Sequence, residues 1–177
     1  MTWPTHTVFG ISALWLLAPL PPELVGYDFG TLAAFAAFGA LLPDLDASDS
    51  KIKHLKLLGT QLTPFFLPSQ VIHRSDRHRG ILHSLAGLSM AAGVSMPLTL
   101  WVGRAPVVAL LLGYASHLAG DACTRTDIPL LYPRKGRYFL LPARLRIVTG
   151  SDVEEVFFAV FACLSLVLLV SSTSVGL

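Results

Sequence analysis

The sequence predicts an all-α fold, a polytopic membrane helix bundle of four to five transmembrane helices with an amphipathic segment at the interface. It is read as a single domain over 1–177. Three observations predict it. Apolar side chains make up 53% of the chain and charged ones only 14%, where a soluble domain carries about a quarter charged residues. The apolar residues gather into separate segments of helical length. The basic residues gather into two of the loops between them. A net charge of +2 is too small to argue for nucleic acid, and no nucleic-acid partner is expected.

Five segments follow in order: Trp3 to Leu20, Phe29 to Leu42, Gly80 to Val102, Ala105 to about Gly120, and Val156 to about Val170 with an apolar tail. A spanning helix needs about 20 apolar residues, which the third provides, while the second has the length of a core or re-entrant helix. Prolines 19, 21 and 22 end the first segment and Pro43 the second, because proline cannot continue the hydrogen-bonding of a helix. No basic stretch precedes the first segment and no small-residue cleavage site follows it, so it is read as retained. Between segments two and three, Leu55, Leu57, Leu58, Leu62, Phe65 and Phe66 alternate with lysines and polar residues. That mixture fits an amphipathic interfacial stretch or a solvated loop. The connection from Cys123 to Glu155 carries Tyr132, Tyr138 and Phe139 among arginines, as a lid or an interfacial loop would. Two cysteines, Cys123 and Cys163, make no disulfide framework, and Cys123 is either a packing residue or a soft metal ligand.

Lys51, Lys53, Lys56, Arg74, Arg77 and Arg79 fall between segments two and three. Arg125, Arg134, Lys135, Arg137, Arg144 and Arg146 fall between four and five, and Arg104 alone lies elsewhere. By the positive-inside rule both loops face the cytoplasm, with the N-terminus inside and the C-terminus outside. The expected arrangement is a multi-pass membrane protein with its polar groups toward the cytoplasm.

This topology brings the polar residues of the apolar segments to one face. His6 starts the first segment, Asp44 and Asp46 end the second, and His78, Arg79 and His83 open the third. His117 and Asp121 close the fourth, and Glu154 and Glu155 open the fifth. An ionisable residue within a span costs about 2.5–3.5 kcal/mol at the helix centre and needs a partner, which a shared cation supplies. His117 and Asp121 are four apart, within about 40° on one helical face. Asp44 and Asp46, two apart on an extended piece, would face the same way. Arg79 and His83 share a helical face, and His78 joins His83 only if Gly80 breaks the helix, so the closer ligand of the two histidines stays open. His54 and His73 read as solvated loop residues.

Histidine nitrogens with carboxylate oxygens suit Zn²⁺, with Mn²⁺ or Fe²⁺ where oxygen dominates. The metal candidates are His6, Asp44, His78, His83, His117 and Asp121. They are more than one ion needs, so two ions bridged by Asp121 are expected, an arrangement suited to phosphoester hydrolysis. Asp46, Arg79 and Glu154 complete the candidate catalytic set, Arg79 to hold an anionic ester or else to snorkel to lipid phosphates.

Three blocks carry a family resemblance: Leu42-Pro-Asp-Leu-Asp46, His78-Arg-Gly-Ile-Leu-His83-Ser84, and Gly113-Tyr-Ala-Ser-His117-Leu-Ala-Gly-Asp121. Together with Ile128–Pro133, Arg137–Pro142, and Gly150 followed by Glu154, they resemble the YdjM-like family over nearly the whole chain. The resemblance implies a LexA-regulated, membrane-bound, metal-dependent hydrolase of bacterial inner membranes. The order of ligands is also distantly similar to the zinc-dependent phospholipase C and P1-nuclease group. That similarity implies one ion on Asp44, His83 or His78, His117 and Asp121, and a second on His6 with Asp121. The sequence departs from that group in having no histidine after His117, which the third ion needs, and in a Met1 that does not clearly supply the free N-terminal residue. The expectation is a hydrolase acting on a phosphoester of a lipid or lipid-linked substrate at the cytoplasmic leaflet. Its rivals are a metal transporter or sensor, whose ligands would be spread through the membrane thickness, and a non-catalytic membrane protein with a structural metal site. Intramembrane proteolysis is weaker because no His-Glu-x-x-His pattern is present.

Overall fold

The structure is a computed structural model that describes residues 1–17, 27–46, 56–57, 60–61, 80–134 and 136–174. Helix α1, Trp3–Ser12, has Pro4 in its first turn, where the fixed φ is suited, and runs on as a 3-10 turn over Ala13–Leu17. Helix α2, Phe29–Leu41, is capped by Asp28, which accepts the Thr31 N–H at 3.0 Å. At Leu42–Asp46 the chain tightens into a 3-10 turn around Pro43. The predicted interfacial stretch lies outside the described residues, apart from a two-residue antiparallel ladder of β1, Lys56–Leu57, with β2, Thr60–Gln61.

The third apolar segment is not one continuous helix. Gly80 is extended, Ile81–His83 form a 3-10 turn, and α3, Leu85–Ser95, starts at Ser84, whose Oγ accepts the Gly87 N–H. Pro97 interrupts it with a 3-10 turn at Met96–Leu98 before the short α4, Thr99–Val102. Gly103, at φ 80°, reverses the chain in one residue into α5, Arg104–Ala122. A long connection follows, tied by Thr124 to Ile147 and Ile128 to Tyr138, and leads to α6, Asp152–Ser174.

Apart from that short ladder and isolated bridges, the described elements are helical, as the lengths of the apolar segments predict. Two stretches are long and apolar enough to cross a membrane, Leu85–Val102 and Asp152–Ser171, with Phe29–Asp44 a shorter apolar helix. The α1 segment reaches only about 25 Å even with its 3-10 extension, less than the roughly 30 Å of a hydrocarbon core. Both long stretches lie on the outside, where Val94, Leu100 and Trp101 are 79%, 87% and 86% exposed. Helix α5 is the opposite. Thirteen of its residues are buried, from Ala105 to Ala122, and α1 and α2 pack on it.

The α2–α5 contact is made by small residues. A Cβ on Gly39 would stand 1.9 Å from the Leu110 carbonyl oxygen, and one on Gly113 would stand 1.9 Å from the Ala36 carbonyl oxygen. Where apolar solvent removes the hydrophobic drive, such close backbone approach is what holds helices together. Ala36, Ala40 and Ala109, all wholly buried, fill the rest of the seam. Gly113→Ala should force the two backbones apart, at a cost of about 1–3 kcal/mol or more. Gly93→Ala, on α3 with nothing within 4 Å of the new methyl, should be neutral or slightly stabilising. Thermal denaturation in detergent should rank them in that order, and equal midpoints would refute the account of the seam.

Candidate metal centre

The antiparallel run of the helices carries their polar ends to one place. His6 comes from the first turns of α1, Asp44 from the 3-10 turn that ends α2, and His83 from the 3-10 turn before α3. His117 and Asp121 come from the last turns of α5. Four of the five are at most 1% exposed, and Asp44 is the half-buried edge of the site.

Four ligand-type atoms face one another. His83 Nε2 lies 3.3 Å from His117 Nε2 and 3.4 Å from Asp44 Oδ1. His117 Nε2 is 3.6 Å from Asp44 Oδ1 and 3.6 Å from Asp121 Oδ2, and His83 Nε2 is 3.7 Å from Asp121 Oδ2. Ligands about 2.0–2.1 Å from a tetrahedral zinc stand about 3.3 Å from one another. The five separations above, 3.3–3.7 Å, are close to that value. The ligand atoms of His83, His117 and Asp121 lie within 4.8 Å of each other, and so do those of His6, Asp44 and His117. His117 belongs to both sets.

The tautomer of His117 follows from its other nitrogen. Nδ1 is 2.7 Å from the Ala40 carbonyl oxygen, which can only accept, so Nδ1 carries the proton. In the neutral ring Nε2 then presents its lone pair to the cluster, the outer-shell arrangement typical of a metal-ligating histidine. His6 stacks on His117 at 3.8 Å between ring centroids. The Nδ1 atoms of His6 and His83 are buried with no hydrogen-bond partner. Asp121 turns its two oxygens to different neighbours. Oδ2 faces His83 and His117, while Oδ1 lies 3.2 Å from His6 Nε2 and accepts from the Met1 amine at 2.8 Å.

The second layer sets the ligands. Tyr114 OH donates to the Leu82 carbonyl and so ties the 3-10 turn bearing His83 to α5. Glu154, 2% exposed at the start of α6, accepts from the Gly150 N–H at 2.7 Å and from the Thr2 N–H. Its carboxylate thus pins the chain leading into α1, and it is not in either ligand set. Sequence reasoning had no signal for this role, because the partners are backbone groups.

Several expectations change. Asp44 and Asp46 do not lie on an extended piece, because the backbone over Leu42–Asp46 is a 3-10 turn. Asp44 joins the cluster, and the Asp46 side chain lies outside the described residues. His78, Arg79, His54 and His73 also lie outside them. His83 itself lies in the 3-10 turn Ile81–His83, after an extended Gly80 and before α3. Met1, which the sequence did not clearly offer as a free N-terminal group, donates its amine to Asp121 Oδ1 at 2.8 Å. Cys123 is in neither ligand set, and burial pushes its thiol up from its usual value, away from the thiolate that a metal needs.

These features define a membrane-type helical protein with a buried histidine–aspartate cluster at one end of its bundle. Residues 1–175 match the family described as YdjM inner membrane protein, and the chain belongs to the YdjM family. It is 30% identical over 174 residues to "Inner membrane protein YdjM" of Escherichia coli (strain K12), covering 94% of this chain and 79% of that one. The protein of the same name in Shigella flexneri matches to the same extent. "Uncharacterized protein YvsG" of Bacillus subtilis (strain 168) is 33% identical over 159 residues, covering 90% and 88%. No solved structure matches. The family and the apolar outer helices support a membrane location.

Two measurements probe the centre. Purified protein should carry a transition metal that a His117→Ala/Asp121→Ala variant has lost, by elemental analysis after gel filtration. An equal metal content in the variant would exclude these ligands. Tyr114→Phe removes the tie on the Leu82 carbonyl and should weaken metal retention roughly tenfold in competition with a chelator. Unchanged retention would mean that the turn bearing His83 is held by its other contacts, among them the Leu85 N–H to Leu130 carbonyl bond.

Proposed function

We propose that this protein is a membrane-bound, metal-dependent hydrolase that cleaves a phosphoester of a lipid or lipid-linked molecule at the cytoplasmic leaflet. The observation that carries the reading is the pair of overlapping ligand sets sharing His117, built at one end of an apolar helix bundle. Asp44, His83, His117 and Asp121 would hold one ion, with His6 and the second oxygen of Asp121 offering part of a second site. Zn²⁺ suits the donor set, and Mn²⁺ or Fe²⁺ would be tolerated. A metal bound there supplies an acidic water and polarises a phosphoryl oxygen. The chain does the remainder. The Ala40 carbonyl holds the Nδ1 proton of His117, Asp121 orients His6, and buried walls exclude bulk water from the other ligands. Asp44, at the edge, leaves the side by which an ester would enter. Arg79 and Asp46 remain the candidates for binding the anionic ester and for proton transfer.

The reading includes four to five spans with the two basic loops in the cytoplasm. Exposed Arg125, Arg134 and Arg144 on the Cys123–Ser151 connection support that side. With Cys123 and Cys163 changed to serine, Arg144→Cys should react with a membrane-impermeant maleimide in inverted vesicles and not in spheroplasts. Labelling from the outside would overturn the orientation.

Activity is tested with metal-loaded protein on bis(p-nitrophenyl) phosphate and on phospholipid vesicles, beside the His117→Ala/Asp121→Ala variant. Release of nitrophenol or of a headgroup that falls to background in the variant supports the hydrolase. Metal-loaded protein inert toward both, with the metal resistant to chelators, favours the second reading. In that case the metal is structural, which the burial of four of the five residues also suits.

A further inference from the structure

We infer that two turns of the Cys123–Ser151 connection, 129–134 and 140–146, form a docking surface for the phosphate groups of anionic phospholipids in the leaflet around that end of the bundle. The inference goes beyond the hydrolase reading and does not need it. It rests on the membrane location and on where the backbone ties these turns.

Both turns are tied where an apolar stretch begins. The Leu85 N–H donates to the Leu130 carbonyl at 2.9 Å, and Leu85 is the first residue of the stretch Leu85–Val102. The first turn therefore stands at the level where that stretch would enter hydrocarbon. The second turn is clamped to the end of α5 on both sides. The Leu140 N–H donates to the Ala122 carbonyl at 2.7 Å, and the Ile147 N–H to the Cys123 carbonyl at 3.0 Å. From Ile147 the chain passes through one further turn to Asp152, the start of the second long apolar stretch. A bridge between Ile128 and Tyr138 joins the two turns. Within the second, Arg146 Nε donates to the Leu141 carbonyl at 3.1 Å, and its guanidinium lies 3.4 Å over the Phe139 ring. The turns are thus shaped by their own contacts, and what they display is not the fraying of a loose loop.

They display leucine beside arginine. Leu140 and Leu145 are 66% and 65% exposed, as open as the outward residues of α6, and Arg144 is exposed between them. The first turn repeats the pattern with exposed Leu131, Tyr132 and Arg134. Residues 123–151 hold six basic residues and one acid, Asp127, and that acid is paired with Arg137 at 3.2 Å. The surface is strongly positive as well as apolar. A leucine fixed at the start of a spanning stretch reaches the acyl boundary, while a guanidinium beside it reaches the phosphates. Arginine suits that partner, since its fork of donors matches phosphate oxygens. A protein partner would have to meet these turns inside the headgroup layer, where lipid phosphates are already the neighbours.

The test uses the full-length protein with Cys123 and Cys163 changed to serine and a spin label on Leu140→Cys or Leu145→Cys. It is reconstituted into vesicles of phosphatidylcholine, or of phosphatidylcholine mixed equally with phosphatidylglycerol. Collision with oxygen and with a water-soluble nickel chelate then reports the depth of each label. In the mixed vesicles both labels should be open to oxygen and shielded from nickel, as a label on Val94→Cys in α3 should be. Arg134→Gln and Arg144→Gln should each raise the ratio of nickel-exposed to shielded label about fivefold there, and pure phosphatidylcholine should raise it as well. Arg134→Lys and Arg144→Lys should keep most of the shielding, because the charge remains. An unchanged Val94→Cys depth in the glutamine variants shows that they fold and insert. Labels open to nickel in both kinds of vesicle overturn the inference. So does equal shielding in both lipids and in the glutamine variants, which is insertion without recognition of anionic headgroups. Labels closed to oxygen and nickel alike, covered by protein such as a second copy, overturn it too. None of these readings uses turnover or bound metal, so a docked turn in an inert protein would keep this surface and lose the hydrolase. Hydrolysis of bis(p-nitrophenyl) phosphate by a protein whose turns stay open to nickel would do the reverse.

Discussion

The close approach of α2 and α5 is the constraint on which the remainder depends. Two glycines, one on each helix, put backbone against backbone, and buried alanines continue the contact. Only at that separation does the Ala40 carbonyl come within 2.7 Å of His117 Nδ1. The hydrogen bond therefore joins the scaffold to the site. It settles the tautomer of the histidine shared by both ligand sets, and it places the turn that bears Asp44 beside the last turns of α5. A larger residue in the seam would act at a distance on chemistry it never touches.

The cluster itself is a problem in buried charge. Two carboxylates and three imidazoles meet where four of the five residues have almost no contact with solvent. Isolated ionised groups in such a place cost several kcal/mol each unless they are paired or coordinated. The Met1 amine and the ring contacts meet part of that demand on the Oδ1 side of Asp121. On the Oδ2 side, two Nε2 atoms and the Asp44 carboxylate converge at distances suited to tetrahedral coordination. The same burial that makes the groups expensive makes their field strong, which is the condition for useful metal chemistry.

Around this centre the helices divide by solvent. Helix α5 is sheathed by α1 and α2, whereas α6 and the α3–α4 stretch present leucine, valine and tryptophan outward. The outward set has no reason to exist in water and every reason to exist in hydrocarbon. Among the described residues, the histidines and aspartates of the cluster lie at one end of the bundle.

Much was legible in the sequence because it depends on solvent and period. The lack of charge and the lengths of the apolar runs announce membrane helices. Four-residue spacing places His117 and Asp121 together, and alternation of helix direction carries His6, Asp44 and Glu154 to the same end. The three sequence blocks announce the family. What the sequence could not decide turns on local backbone geometry and on atoms without a residue-type signature. The turn at Leu42–Asp46 is 3-10 rather than extended, so the alternation expected of an extended piece does not apply there. Ser84 caps α3 and leaves His83 in a turn of its own, so the helical register assumed for it does not apply. Glu154 spends its carboxylate on backbone N–H groups, and His117 takes its orientation from a backbone carbonyl. Side-chain type and spacing determine which groups can reach one end of the bundle. Only the packed backbones, a few tenths of an ångström at a time, decide which of them meet.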